Sequence, residues 1–119
     1  MHSYKELKIW KHSMELVKSV YKLTKQFPKS ELYNLVAQIN RSAVSIPSNI
    51  AEGAGRDSNK DFLNFLSYAQ GSAYELNTQL LLSKDLGFIN ESDFSEIEQY
   101  LLEIQKMNFS FQKKLKSNL

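Results

Sequence analysis

Along the middle of the chain, Gln38, Ser42, Ser45, Asn49, Glu52 and Arg56 recur at spacings of 4, 3, 4, 3 and 4. That is the heptad rhythm of a helix-contact seam, yet every member is polar. A shorter series, Ser72, Glu75 and Gln79, has a matching 3 and 4. Glu52 and Glu75 are carboxylates within these series, and Arg41 and Arg56 are the obvious counter-charges. Two carboxylates without a histidine or a metal constellation are weak evidence for acid–base catalysis. A partly buried carboxylate is costly unless it is paired and hydrogen-bonded, so these groups are expected to satisfy one another in a network that sets helix register. A ligand or subunit contact is the other use such a seam allows. No catalytic residue and no metal ligand is assigned, and no cofactor is expected.

The remaining polar chemistry is charge. Lys8, Lys11, Lys18, Lys22, Lys25 and Lys29 project within an arc of roughly 100° at helical spacing, interrupted by Glu15. Residues 1–30 hold seven lysines against Glu6 and Glu15, a surplus of +5 in a chain of net charge +2. A basic stripe tracks phosphates without reading bases. Lys11, Lys18, Lys22, Lys25 and Lys29 are therefore the candidate nucleic-acid contacts, with a merely solvated helix face as the plainer alternative. Rotational symmetry in an oligomer would make such weak contacts add up. His2 and His12 lack an acidic cluster at ligand spacing and read as solvent-exposed and non-functional. The chain has no cysteine, hence no disulfide, thiolate or redox chemistry. Gly53 and Gly55 make no phosphate cradle; at a helix end they need only left-handed geometry.

Long elements must carry these residues. At 119 residues, with 42% hydrophobic and 24% charged residues, the chain reads as a single domain, 1–119, large enough for a real core. Four glycines and two prolines favour long, uninterrupted elements. Apolar periodicity predicts helices over about 4–26, 30–54, 59–86 and 91–116. Ile9, Leu16, Val20, Leu23 and Phe27 line the first. The second carries Leu32, Leu35, Val36, Ile39, Ala43, Ile46 and Ile50, with Ser30 as a plausible N-cap. Phe62, Phe65, Leu66, Ala69, Ala73, Leu76 and Leu80 mark the third, which ends at Gly87. The fourth, capped by Asn90 or Ser92, carries Phe94, Ile97, Leu101, Ile104, Phe111 and Leu115. Pro47 costs ~3 kcal/mol inside a helix, but the pattern runs through it, predicting a kink, with a break into two helices as the alternative. Short connections between such helices imply an all-α, antiparallel up-down-up-down four-helix bundle. Core packing accounts for most of Trp10, Tyr21, Tyr33, Tyr68 and Tyr74, and a protein contact for the excess.

The runs IWKHSMELVKSVY, QINRSAVSIPSNIAEGAGRDSNKDF and GSAYELNTQLLLSKDLGFI resemble the four-helix-bundle proteins of the ribosomal RNA intervening-sequence family. The resemblance covers about Leu7 to Leu115. Members are often encoded within insertions in bacterial large-subunit rRNA genes, or as free-standing genes of unknown role. The resemblance implies a bundle that assembles as a ring-like homopentamer. A more distant likeness in fold is to the accessory protein of diversity-generating retroelements, which binds nucleic acid and a reverse transcriptase. Where the family pattern has Arg-Arg, this chain has Asn40-Arg41, one positive charge fewer.

The expected protein is thus a non-enzymatic, self-assembling bundle, a homopentamer binding RNA or DNA through the basic face of helix one. The alternative is a protein-interaction or structural adaptor without nucleic-acid binding. No stretch of about 18 apolar residues occurs and MHSYKELKIWKH lacks a signal-peptide core, so a cytoplasmic location without membrane partner is expected. No small-molecule substrate is expected either.

Overall fold

Apolar residues recurring every three or four positions resolve into four helices in the computed structural model, which describes residues 2–118. They are α1 (Lys8–Thr24), α2 (Leu35–Ala54), α3 (Asn59–Asp85) and α4 (Glu91–Lys116). Each packs on the next, and α4 closes back on α1, while diagonal pairs do not approach closely. The result is an all-α up-down-up-down bundle, 46 × 23 × 20 Å. Its core holds Leu16 and Val20 of α1, Ile39, Ile46 and Ile50 of α2, Phe62, Leu66, Leu76 and Leu80 of α3, and Leu101 and Ile104 of α4. Among the described residues, no helix is long and apolar enough to cross a membrane.

The α2–α3 contact is the most extensive, because small side chains line it: Ser42, Ala43, Gly53 and Ala54 on α2 and Ala69 and Ala73 on α3 are buried. Gly53 marks the tightest approach. A Cβ there would lie 2.6 Å from Phe65 Cβ and 2.8 Å from Phe62 Cδ1. Its role is therefore close packing inside a helix, not the left-handed geometry expected from sequence, and Gly55 at φ −81° is right-handed too. α2 runs unbroken through Pro47. Asn49 Nδ2 braces the turn around it by donating to the Ser45 carbonyl at 2.8 Å.

The caps follow local chemistry. Ser58 Oγ accepts from the Asp61 N–H at 3.1 Å, and Asn90 Oδ1 accepts from the Asp93 N–H at 2.7 Å. Asn90, not Ser92, is thus the N-cap of α4. At the end of α3, Gly87 adopts φ 81°, its N–H reaching Lys84 O and the Phe88 N–H reaching Ser83 O. That double bond is a Schellman ending.

Two helix starts differ from the sequence expectation. Tyr4–Glu6 forms a separate 3-10 turn and Leu7 is extended at φ −73°, ψ 126°, so α1 begins at Lys8. The segment before it instead lies across the bundle end, the His2 N–H donating to Ala54 O at 2.8 Å. The start of α2 is later by five residues, at Leu35 instead of position 30. Pro28 leads into a 3-10 turn at Lys29–Glu31, and Asn34, at φ −112° and ψ −102°, is outside helical geometry. Ser30 is therefore no N-cap, and Leu32 projects to solvent instead of joining the core.

Candidate functional site

The polar seam lies between α2 and α3. Ser42 is buried and its hydroxyl donates to Glu75 Oε1 at 2.7 Å. One turn along, the Ser45 and Ser72 hydroxyls meet at 2.7 Å. Asn49 Nδ2 also donates to Ser45 Oγ at 3.0 Å. The 3-4 spacing thus brings Ser42 and Glu75 together in one cluster and Ser45, Asn49 and Ser72 in a second, one turn away. Short hydroxyls are what such close helices accommodate.

Glu52 and Arg56 leave the seam. They pair with each other across the end of α2 at 3.0 Å, both exposed, with the Arg56 guanidinium, just past the helix, 4.7 Å from the centre of the Phe65 ring. Exposed pairs of this type contribute only about 0.3–0.5 kcal/mol. Arg41, the expected counter-charge for Glu75, makes no ion pair among the described residues. It is exposed, and Glu75 is held by Ser42 instead. Ser42, the partner of Glu75, and Glu52 are 10 residues apart on α2, about 15 Å at the helical rise. Glu52 and Glu75 therefore do not form a paired-carboxylate site. No three His, Cys, Asp or Glu side chains gather as a metal site among the described residues.

Gln38 and Gln79 stand at the other end of the seam, where a cleft of about 250 Å³ opens between α2 and α3. Gln38 is exposed, whereas Gln79 is only 9% exposed and its Oε1 has no hydrogen-bond partner. Asn40 ties helices together: Thr24 Oγ1 donates to its Oδ1 at 3.1 Å.

The lysine face is exposed at every expected position. Lys8, Lys11, Lys18 and Lys22 lie on α1; Lys25 caps its C-terminus and Lys29 falls in the following 3-10 turn. The helical projection therefore holds for Lys8, Lys11, Lys18 and Lys22 and ends with the helix, leaving Lys29 exposed beyond it. Among the described residues only Lys18 of this face is paired, with Glu15 at 3.2 Å. Beside Lys22, Asp93 and Glu96 of α4 line a shared groove, placing negative charge along one flank.

Several side chains behave differently from their sequence reading. His2 is half-buried, its ring 5.0 Å from that of Phe62 and 6.3 Å from that of Phe111. His12 is exposed beside Tyr100, whose hydroxyl lies 3.5 Å from His12 Nδ1. Burial, then the Glu15 and Glu103 carboxylates, push the Tyr100 phenol above its ordinary value. Tyr21, Tyr33, Tyr68 and Tyr74 are exposed, so core packing does not account for them. Sequence reading also passed over Asn108, which is buried on α4, donates to Leu66 O at 2.9 Å and accepts from Gln112 Nε2 at 2.6 Å. Its signal was present, because Leu101, Ile104, Asn108, Phe111 and Leu115 keep the 3-4-3-4 core spacing.

Two apolar grooves flank the bundle. One, about 550 Å³, lies between α3 and α4 and includes Tyr74, Leu102 and Phe109, the last 68% exposed. The other, about 320 Å³, lies between α1 and α2 along Trp10, Val44 and Pro47. In a ring of four helices these are opposite sides.

Comparison with known proteins agrees with this architecture. The family model for the 23S rRNA-intervening sequence protein matches residues 5–110. A crystal structure of a protein of unknown function from the S23 ribosomal protein family of Bacteroides thetaiotaomicron superposes with a TM-score of 0.80 at 28% identity, covering 88% of this chain and 98% of that one. No curated protein matches the chain. With the family model spanning nearly all four helices, the chain belongs to the 23S rRNA-intervening sequence protein family.

Proposed function

We propose that this protein is a non-enzymatic, cytoplasmic, self-assembling bundle, a homopentamer that binds RNA or DNA through the lysine face of α1 and the turn after it. The observation that carries the nucleic-acid reading is the exposure of Lys8, Lys11 and Lys22 on one face of α1, with Lys25 and Lys29 exposed just beyond it, none of them in an ion pair among the described residues. Unpaired cations lose no intramolecular contact when they meet phosphates, and counterion release then favours binding. Assembly is supported by the two apolar grooves on opposite sides. A head-to-tail interface uses two different surfaces per subunit and closes into a ring when the rotation permits. The number five comes from the family resemblance.

Equilibrium binding to single-stranded RNA and duplex DNA tests the first part, using wild type and a variant with Lys11, Lys18 and Lys22 changed to Glu. The variant should bind at least tenfold more weakly. Unchanged affinity, or no binding by wild type, refutes the nucleic-acid reading and leaves the protein-interaction adaptor. Light scattering tests the second part, and a monomer at micromolar concentration contradicts assembly.

A further inference from the structure

The cleft at the open end of the α2–α3 seam has a composition that the lysine face lacks. Tyr33, Gln38, Arg41, Ser42, Glu75 and Gln79 line it, in a space of about 250 Å³. Three observations make it a receptor for a polar ligand. Gln79, nine-tenths buried, has an Oε1 without any hydrogen-bond donor. A buried amide oxygen left unpaired is destabilising, so the site is incomplete as it stands. Arg41 is a cation without an ion pair among the described residues, although the Glu75 carboxylate lines the same cleft. Tyr33 stands at the opening, 88% exposed, with no packing role that explains a large aromatic there.

The donor and acceptor pattern narrows the ligand. Ser42 takes one lone pair of Glu75 Oε1 at 2.7 Å, which fixes the carboxylate and leaves Oε2 to accept. A carboxylate is best met by two neighbouring N–H donors. Gln38 and Gln79 can each donate to a carbonyl oxygen and accept an N–H, and Arg41 suits a phosphate. Tyr33 offers a face for stacking, the usual way proteins hold an unpaired base. Among the common bases, only guanine carries two adjacent donors, N1–H and the N2 amino group, beside a carbonyl acceptor at O6. Adenine and cytosine turn a ring-nitrogen acceptor toward the carboxylate, and uracil has one N–H between two carbonyls.

We propose that this cleft binds an unpaired guanine base with its phosphate, Glu75 accepting from the base edge, the Gln38 and Gln79 amides completing it, and Arg41 meeting the phosphate. The ligand is either a free guanine nucleotide or an unpaired guanosine of RNA. The proposal stands on the cleft alone and does not depend on the lysine face.

Equilibrium dialysis of the full chain with GMP, IMP, AMP, CMP and UMP tests it. GMP should bind at least tenfold more tightly than AMP, CMP or UMP. IMP, lacking only the N2 amino group, should lose most of that advantage. Glu75→Gln can still accept from Ser42, so it should keep the helical circular dichroism spectrum while losing at least tenfold in GMP affinity. Arg41→Ala should weaken GMP more than guanosine. The Lys11, Lys18 and Lys22 charge-reversal variant should bind GMP as wild type does, which separates this site from the phosphate-tracking face. Competition by a single-stranded oligonucleotide containing guanosine identifies RNA as the source, and its failure to compete identifies the free nucleotide. Absence of GMP binding, equal affinity for all the nucleotides, or GMP binding indifferent to Glu75→Gln each overturns the proposal.

Discussion

Replacing Gly53 by alanine should destabilise the bundle, while the same replacement at Gly71 should stabilise it. Both glycines are inside helices, so both substitutions gain about 0.5–1 kcal/mol of helix propensity. The difference is in what the new methyl group meets. At Gly53 it falls 2.6 Å from Phe65 Cβ and 2.8 Å from Phe62 Cδ1. Phe65 Cβ is fixed to the α3 backbone and the Phe62 ring is fully buried, so neither can move without shifting the helix or the core. Overpacking costs about 1–3 kcal/mol and, where neither neighbour can yield, about 2–3 of that range, which against a gain of about 1 leaves a net loss of about 1–2 kcal/mol. At Gly71 nothing lies within 4 Å, so the propensity gain stands alone. Near the midpoint a chain of 119 residues shifts by about 4 °C per kcal/mol, so Gly53→Ala should lower Tm by roughly 4–8 °C and Gly71→Ala raise it by about 2–4 °C. Thermal and urea unfolding, followed by circular dichroism at one protein concentration, measures both, since assembly makes Tm concentration-dependent. A Gly53→Ala protein as stable as wild type would refute the close α2–α3 approach.

Other perturbations have equally definite outcomes. Ser42→Ala should cost about 1–2 kcal/mol, and a double-mutant cycle with Glu75→Ala should show coupling of at least about 0.5 kcal/mol; strict additivity would show that the 2.7 Å bond contributes nothing. Asn108→Ala should cost about 1–3 kcal/mol in urea unfolding by removing its bonds to Leu66 O and from Gln112, and a neutral result contradicts that network. Because burial and carboxylates hold the Tyr100 phenol above 10.0, the folded state binds that proton more tightly than the unfolded one. The associated stability is complete below pH 10 and is lost as pH rises through the folded value; in Tyr100→Phe the alkaline decline should be shallower, and an unchanged decline removes Tyr100 as its source.

What sequence conveyed and what it withheld divide along physical lines. Burial of an amphipathic helix leaves a periodic trace, so the four stripes and their core residues, from Leu16 and Ile39 to Leu76 and Leu101, were legible. The serines of the seam were legible for the same reason, because partners on facing helices must share a rhythm. Contacts set by a single close approach leave no period. Gly53 looked like a helix-ending glycine, and only the position of Phe65 shows why nothing larger fits. The strap that lays His2 on Phe62 is not helical and carries no pattern. Asn108 kept the core spacing but was hidden by its polarity. Arg41 and Glu75 had opposite charge and suitable spacing, yet Ser42 takes the carboxylate and Arg41 lines the cleft without pairing with it. Charge complementarity in sequence does not decide which of several donors a carboxylate takes.

The most direct test of the proposed function is the salt dependence of RNA binding. The logarithm of the binding constant for single-stranded RNA should fall linearly with the logarithm of salt concentration, losing about 0.7 of slope for each phosphate contact. If Lys11, Lys18 and Lys22 each meet a phosphate, changing all three to Glu should flatten that slope by about 2 for each subunit engaged. A slope identical in wild type and variant would contradict the account, placing the nucleic acid elsewhere on the bundle or nowhere on it.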